Sequence, residues 1–127
     1  MELAENGKVT GMDAFYTYPS NLVDLFESSV GKWADKRLFG TKNQESGQYE
    51  WITYGAVAER VNNLRAALAG LGLARGEKAG VIVSNCTEWF VCEGATHGLG
   101  GVFVPMYEKE LVKTWKYIIA DAAVKYL

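Results

Sequence analysis

Short apolar runs alternate with helical segments through the second half of the chain, and this order constrains the fold more than any other feature. The runs at 79–83 and 102–104 carry no charged residue, which is typical of strands buried on both faces of a sheet. Segments 86–99 and 110–121 have the length and apolar spacing of helices. Residues 124–127 begin a further strand. The β-α-β-α-β order predicts an α/β fold with a Rossmann-like parallel sheet and right-handed crossovers.

The first half of the chain predicts two helices separated by a β-hairpin. Residues 21–34 have an amphipathic pattern, and Ser20 precedes them as a candidate N-cap. Strands at 38–42 and 49–52, joined by polar residues and a glycine, form the hairpin. Thr53 then caps a helix whose apolar residues recur at steps of three and four. These apolar residues are Tyr54, Val57, Ala58, Val61, Leu64, Leu68 and Leu71.

Local signals predict where several of these elements begin and end. Gly70 and Gly72 are expected to adopt left-handed conformations at the end of the long helix. Asn85, with Glu88 three residues later, has the spacing of a capping box. Pro105 is expected to stop the strand that precedes it.

The two ends of the chain differ in character. Residues 1–19 are predicted to be a flexible lead-in, and residues 20–127 to form one unit. The lead-in lacks the basic start and apolar centre of a signal peptide, and the longest charge-free stretch, 94–107, is too short and too glycine-rich to span a bilayer. We therefore expect a cytoplasmic protein without a transmembrane segment. Because a domain rarely ends just inside an apolar strand, we expect Leu127 to be a truncation point.

Composition excludes several classes of protein. Hydrophobic residues make up 49% and charged residues 22% of the 127 residues, as in soluble globular domains and unlike disordered chains. The net charge of −2 and the absence of a Lys/Arg run argue against nucleic acid as a partner. One histidine and two cysteines cannot supply a zinc site. We expect Cys86 and Cys92 to be small buried hydrophobic residues in a reducing compartment.

No phosphate-binding loop is found in the sequence. The loop after the first parallel strand, Ser84–Thr87, lacks the glycines that let a backbone approach pyrophosphate. Gly98–Gly101 has the glycines, but it joins a helix end to a strand, whereas phosphate loops lead from a strand into a helix N-terminus. We therefore expect Gly98–Gly101 to serve as a helix cap and a site of close packing.

Few polar residues remain as candidates for chemistry. Ser84 and Asn85 lie at the carboxyl end of a parallel strand, where open α/β sheets bind ligands, although Asn85 is also a candidate cap. His97 lies within the predicted helix 86–99, and the sequence places neither a serine nucleophile elbow nor an acidic partner beside it. This favours a structural role for His97. Solvated or capping roles are expected for Glu110 and Asp121, and core packing for Trp89 and Trp115.

A series of short motifs occurs in a fixed order along most of the chain. It consists of Thr53-Tyr54, Leu68, Gly72, Gly76, Val81-Ile82-Val83, Asn85, Glu88-Trp89, Gly101, Pro105, Tyr107, Tyr117-Ile118-Ile119, Asp121 and Lys125. In order and spacing this series resembles the N-terminal part of the AMP-forming acyl-CoA synthetases, in the adenylate-forming ligase superfamily. The resemblance covers residues 20–127, and Tyr107 and the Trp115–Ile118 region are most similar to the long-chain fatty-acid branch.

The resemblance implies an activity for a larger parent enzyme. Such ligases join a fatty acid to ATP, release pyrophosphate, and pass the acyl group from the adenylate to coenzyme A with the help of Mg²⁺. The family's Gly/Ser/Thr-rich loop, ribose-binding aspartate and catalytic lysine would lie downstream of Leu127. We therefore predict no catalytic, cofactor-binding or metal-binding residue in this chain, and we expect the chain alone to be inactive. The resemblance also allows a homodimer and a membrane-peripheral location for the parent.

Two alternatives come from other functional classes. The chain could form a free-standing Rossmann-like ligand-binding module, which its ligand would stabilise against heat. It could instead be an interaction domain in which the open sheet edge pairs with a second copy, giving a concentration-dependent mass.

Overall fold

The computed structural model describes residues 19–127, so the predicted lead-in lies outside the described residues except for Pro19. The described part has four helices and four strands, and their order confirms the predicted α/β class. The elements are α1 (Leu22–Trp33), β1 (Arg37–Lys42), β2 (Tyr49–Thr53), α2 (Tyr54–Gly70), β3 (Lys78–Ile82), α3 (Thr87–Gly98), β4 (Val102–Met106) and α4 (Val112–Asp121). None of these helices is long and apolar enough to cross a membrane.

The predicted β-hairpin is confirmed. Strands β1 and β2 pair antiparallel, and they form a sheet of their own that is separate from the parallel strands. The Asn43 side-chain oxygen accepts hydrogen bonds from the backbone N–H groups of Glu45 and Ser46, at 2.9 and 3.0 Å. Gly47 has a φ of +70°, which closes the turn at low steric cost. The polar turn residues therefore fix the register of the hairpin.

The predicted parallel pairing is also confirmed. Strand β3 lies parallel to β4 from Lys78↔Val102 to Ile82↔Met106, and α3 forms the crossover between them. The expected third strand is reduced to one isolated parallel bridge, Ala79↔Tyr126. This bridge lies on the side of β3 opposite to β4. Two backbone hydrogen bonds support this bridge, from Gly80 N–H to Tyr126 O and from Lys125 N–H to Lys78 O. The described residues therefore form no continuous ladder on this side of β3.

Burial on both faces, expected for the parallel strands, is found at few positions. Ala79 is buried in β3, but its neighbours are only half-buried. Val102 in β4 is 45% exposed. In the described residues this sheet has two strands and one bridge, so too few elements cover its faces and edges.

The hydrophobic core lies mainly between α2 and α3. Val57 and Val61 on α2 are buried against Val91 on α3, and Gly94 allows the helices to approach closely. A Cβ atom at position 94 would lie 3.3 Å from the Val61 methyl groups. A second cluster joins these helices to β3 through Leu68, Leu73, Ala79 and Ala95.

The long apolar pattern of α2 overstates burial at its C-terminal end. Leu64 is half-buried rather than buried. Leu71 is 65% exposed, because the helix ends at Gly70 and Leu71 is its C-cap. Gly72 has the predicted left-handed conformation, with a φ of +88°, whereas Gly70 remains helical.

Helix α1 exposes much of the face that its sequence predicts to be apolar. Leu22, Leu25 and Trp33 are exposed. Phe26 is half-buried, and its ring centroid lies 5.0 Å from that of Phe90 in an edge-to-face arrangement. The apolar pattern predicts the helix correctly, but the described chain supplies too few neighbours to cover the face.

Two predicted helix caps are displaced by one residue. Asn21, not Ser20, caps α1, and its side-chain oxygen accepts a hydrogen bond from the Asp24 N–H at 2.9 Å. The N-cap of α3 is Cys86, which makes no side-chain cap bond, so the predicted capping box of Asn85 and Glu88 is wrong. Because α3 begins at Thr87, Asn85 lies one residue before the capping position.

Two further boundaries in the second half differ from expectation. Pro105 lies inside β4, paired with Val81, instead of stopping the strand. The N–H of Val102 donates to Glu77 O, and every second N–H group along β4 points toward β3 in the same way. The backbone nitrogen of residue 105 points away from β3, so a proline at this position removes no hydrogen bond between the two strands. Helix α4 begins at Val112 rather than at Glu110, because residues 107–110 form a turn closed by Glu110 N–H to Tyr107 O.

Candidate functional site

The carboxyl ends of β3 and β4 meet at one edge of the parallel pair, where open α/β sheets bind ligands. The register Ile82↔Met106 places the residues after each strand at this edge. Ser84 and Asn85 follow β3, Tyr107 follows β4, and all three are exposed. The structure therefore places the predicted candidates Ser84 and Asn85 at the same edge as Tyr107.

The chemistry available at this carboxyl edge is limited. The segment from Ile82 to Thr87 has no glycine, and Cys86 makes no capping bond. Among residues 19–127, no group of three His, Cys, Asp or Glu side chains is placed to hold a metal ion. The described part of the chain thus shows neither a glycine-rich phosphate cradle nor a group of three metal ligands at this edge.

The two cysteines are free thiols in different environments. Cys86 is exposed, which corrects the expectation that both are buried, and Cys92 is half-buried. Burial raises the pKa of the Cys92 thiol, and nearby Cys86 and Glu88 raise it further. Cys92 therefore stays protonated at neutral pH and is a poor nucleophile.

His97 packs against the sheet in the last turn of α3. It is half-buried, and its ring lies edge-on to Phe103, with centroids 6.4 Å apart. This contact supports the structural role predicted for His97.

The glycines after His97 allow a tight connection into β4. Gly100 has a φ of +68°. A Cβ atom at Gly101 would lie 3.1 Å from Thr96 O and 3.2 Å from Glu77 O. The Gly98–Gly101 segment thus caps α3 and packs closely, as its position in the sequence predicts.

The two candidate tryptophans pack rather than face open space. Trp89 lies edge-to-face with Phe103, with ring centroids 5.1 Å apart. Trp115 donates its indole N–H to Tyr107 O at 2.9 Å and so ties α4 to the residue that follows β4. No spacing in the sequence signals this bond, because the indole N–H can pair with any carbonyl in reach. Glu110 and Asp121 are exposed, as expected.

A polar cluster around Lys125 is the feature that sequence reasoning missed. Lys125 Nζ lies 2.7 and 2.8 Å from the Glu77 carboxylate oxygens and 2.9 Å from Gly72 O. Glu77 also accepts a hydrogen bond from the Ala74 N–H at 2.7 Å. The Tyr126 hydroxyl donates to Leu71 O. Together these bonds fasten the C-terminal segment to the turn between α2 and β3.

The Lys125–Glu77 contact shifts the pKa values of both groups. The hydrogen bond from Lys125, followed by that from Ala74, holds the pKa of Glu77 below its ordinary value. The same pairing raises the pKa of Lys125. Both groups are therefore charged across the neutral range, and the pair supports a structural rather than an acid–base role.

Comparison with known proteins gives the family. Residues 26–127 match the AMP-binding enzyme family. Long chain acyl-CoA synthetase 5 of Arabidopsis thaliana is 33% identical over 104 residues, which cover 80% of this chain and 16% of the relative. Fatty acyl-CoA synthetase B of Dictyostelium discoideum is 28% identical over 116 residues, which cover 88% of this chain and 17% of the relative. The chain spans about one sixth of the length of these relatives.

Solved structures share the fold. The N-terminal subdomain of Klebsiella oxytoca NpsA, in complex with 3-hydroxybenzoyl-AMSN, gives a TM-score of 0.74 at 21% identity, covering 84% of this chain and 25% of that one. The crystal structure of IdnL1 gives a TM-score of 0.74 at 19% identity, covering 81% of this chain and 21% of that one. The match over residues 26–127 shows that this chain belongs to the AMP-binding enzyme family.

Proposed function

We propose that this chain is the N-terminal scaffold of an ATP-dependent ligase that activates a long-chain fatty acid as its adenylate and transfers it to coenzyme A. The observation that carries the proposal is the family match over residues 26–127. The curated relatives support the long-chain substrate, since several are named long chain acyl-CoA synthetases.

In this proposal the chain supplies architecture and no reacting group. The α2–α3 core supports the β3–β4 pair, and the carboxyl edge of that pair faces the position where a ligand binds in open α/β sheets. The described residues offer no glycine-rich cradle for phosphates and no cluster of metal ligands. We therefore assign the contacts to ATP, Mg²⁺ and coenzyme A to parts of the enzyme outside this chain.

We also propose that the protein functions in the cytoplasm. Cys86 and Cys92 are both free thiols, which suits a reducing compartment. Fractionation of cells expressing the tagged protein tests this location, and recovery from an oxidising secretory compartment would contradict it.

A chimera tests the scaffold role directly. In it, residues 26–127 replace the matching segment of Arabidopsis long chain acyl-CoA synthetase 5. We expect the chimera to retain palmitate-dependent exchange of pyrophosphate into ATP, because the scaffold preserves the shape of the carboxyl edge. A folded, soluble chimera without exchange would count against the proposal.

The alternative functions predict different results for the chain on its own. A free-standing ligand module would show a raised melting temperature with ATP, coenzyme A or palmitate. We expect no such shift, because the described residues do not form a complete site. An interaction domain would show a mass that rises with concentration, which sedimentation velocity measures.

A further inference from the structure

A mainly apolar groove of about 270 Å³ lies between α1 and α3. Each helix lines it with a stripe of residues at steps of three and four, which share one helix face. The α1 stripe is Leu22, Leu25, Phe26 and Ser29, and the α3 stripe is Phe90, Glu93, Gly94 and His97. Leu22 is 61% exposed and Leu25 is 47% exposed, so the described residues leave much of the α1 wall uncovered. We call this space the α1–α3 groove.

The described chain enters α1 at one end of the α1–α3 groove. The rings of Phe26 and Phe90 meet with centroids 5.0 Å apart, whereas Leu22 lines a second concavity together with His97. The two helices therefore run in opposite directions along the groove. Pro19 is half-buried and lies three residues before Leu22, so the preceding chain reaches the groove at its His97 end.

The residues around Pro19 favour a change of chain direction at this point. The Ser20 backbone N–H donates to the Asp24 carboxylate at 2.8 Å, which holds residue 20 against the first turn of α1. Proline fixes its own φ and disfavours a helical conformation in the residue before it, so the sequence favours an extended backbone at Tyr18. Four extended residues span at most about 13 Å. The α3 wall from Phe90 to His97 is about 10 Å long, so residues 15–18 can run along its full length.

The side chains of residues 15–18 match the chemistry of the groove. This segment, Phe-Tyr-Thr-Tyr, has three aromatic rings and no charge. The groove is lined by Arg65 and Glu93, which have opposite charges, and Arg65 is already paired with Glu27 at 3.0 Å. A neutral occupant suits this lining better than an anionic amphiphile, because the carboxylate of such a ligand would also meet Glu93. Tyrosine adds a hydroxyl that can pair with a polar group at the wall.

We propose that residues 15–18 dock in the α1–α3 groove of the same chain and cover the apolar face of α1. A cavity of about 150 Å³ takes up a benzene ring, so the groove has room for at least one of the three aromatic rings. Attachment through Pro19 also gives the segment a high effective concentration at the groove, which favours this occupant over a free partner. The inference goes beyond the proposed ligase function, because it depends only on contacts within this chain.

Limited proteolysis of the 127-residue chain tests the proposal. Chymotrypsin cleaves after Phe15 and Tyr16 in an accessible segment, and a synthetic peptide of residues 10–21 gives the unprotected rate. We expect cleavage at these two bonds to be at least about tenfold slower in the chain than in the peptide, because cleavage follows the undocked fraction. Leu22→Glu with Leu25→Glu should restore the rate of the peptide. The matched control is Leu71→Glu, which changes an exposed leucine outside the groove and should leave cleavage slow.

Photochemical crosslinking tests the same contact without altering the groove. With p-benzoylphenylalanine in place of Tyr16, irradiation should join residue 16 to peptides of α1 or α3 within one chain. The same group in place of Val9 should give little of that product. Cleavage of the chain as fast as the peptide, slow cleavage retained after Leu22→Glu with Leu25→Glu, or crosslinks only to the hairpin or α4 would each overturn the proposal. A crosslinked dimer, or protection that rises with protein concentration, would identify a second copy as the occupant and would overturn it as well.

Discussion

The ammonium group of Lys125 lies 2.7 Å from the carboxylate of Glu77, and the two residues are 48 positions apart in the chain. Lys125 also donates a hydrogen bond to the backbone oxygen of Gly72. Gly72 has a left-handed backbone conformation and lies just after the end of α2. The C-terminal segment is thus held against the turn before β3 by a charged contact as well as by the single bridge Ala79↔Tyr126. This contact should decide how firmly that segment stays on the sheet.

Removal of the pair should loosen the C-terminal segment without unfolding the core. In Lys125→Met we expect faster hydrogen exchange at the backbone amides of positions 80 and 125, which form the hydrogen bonds beside the bridge. Amides in α2 should exchange as in the unaltered chain. The control is Arg60→Gln, which breaks an exposed ion pair with Glu88 elsewhere on the surface. If Arg60→Gln accelerates the same two amides, the role given to Lys125 is wrong.

The same contact predicts a dependence of stability on pH. Because the pKa of Glu77 is lowered in the folded chain, mainly by its hydrogen bond with Lys125, its contribution is present above the ordinary glutamate pKa and is lost as pH falls through the lowered value. Because the pKa of Lys125 is raised, its contribution is present below the ordinary lysine pKa and is lost as pH rises through the raised value. Stability from the pair should therefore be constant near neutrality.

Thermal melting followed by circular dichroism measures this dependence. The difference in melting temperature between the unaltered chain and Glu77→Gln should be present at pH 7 and should begin to shrink in acid, once the pH falls below the ordinary glutamate pKa of about 4.3. A difference that persists unchanged into strong acid would show that Glu77→Gln acts through packing rather than through charge.

Two leucines at the C-terminal end of α2, one in its last turn and one at its C-cap, should differ sharply in their effect on stability. Leu68 is 9% exposed and belongs to the core cluster with Leu73, Ala79 and Ala95, whereas Leu71 is 65% exposed. Leu68→Ala should lower the free energy of unfolding by about 2–5 kcal/mol, because it leaves a cavity. Leu71→Ala should change it by less than about 0.5 kcal/mol. Urea denaturation gives both values, and similar losses would mean that the burial assigned to this helix is wrong.

Elements with strong local signals could be predicted from the sequence. The polar residues 44–46 followed by Gly47 indicate the hairpin, the three- and four-residue steps indicate α2, and the apolar runs around Val81 and Phe103 indicate the parallel pair. Each depends on neighbours in sequence or on the general rules for crossovers. The carboxyl-edge position of Ser84 and Asn85 follows from the same rules.

Features that depend on tertiary contacts could not be predicted in this way. The Lys125–Glu77 pair and the bond from Trp115 to Tyr107 join residues whose proximity only the folded chain reveals. The N-caps differ from the prediction by one residue because Asn21 and Cys86, both with extended backbone angles, directly precede the first helical residues. Periodicity identifies the face of a helix, but it cannot tell whether another element covers that face, as Leu22 shows.

Two glycines without left-handed backbones provide a test of close packing. A Cβ atom added at Gly101 would lie 3.1 Å from Thr96 O and 3.2 Å from Glu77 O. A Cβ atom added at Gly31 in α1 would have no other atom within 4 Å. Gly101→Ala should destabilise the chain by about 1–3 kcal/mol, because the connection into β4 must shift. Gly31→Ala should stabilise it by about 0.5–1 kcal/mol through helix propensity. Urea denaturation measures both changes, and a neutral Gly101→Ala would show that this connection adapts without cost.

The 127-residue chain alone should not catalyse adenylation. The reaction requires charge stabilisation at the α-phosphate of ATP and a held carboxylate, and groups of this kind supply most of the rate enhancement in such transfers. The described residues offer neither a glycine-rich phosphate loop nor a cluster of metal ligands, so we expect no palmitate-dependent exchange of labelled pyrophosphate into ATP above a protein-free blank. Calorimetry should detect ATP binding no tighter than about 1 mM. Robust exchange by the purified chain would contradict the scaffold role, and alanine variants of Ser84, Asn85 and His97 would then locate the groups responsible.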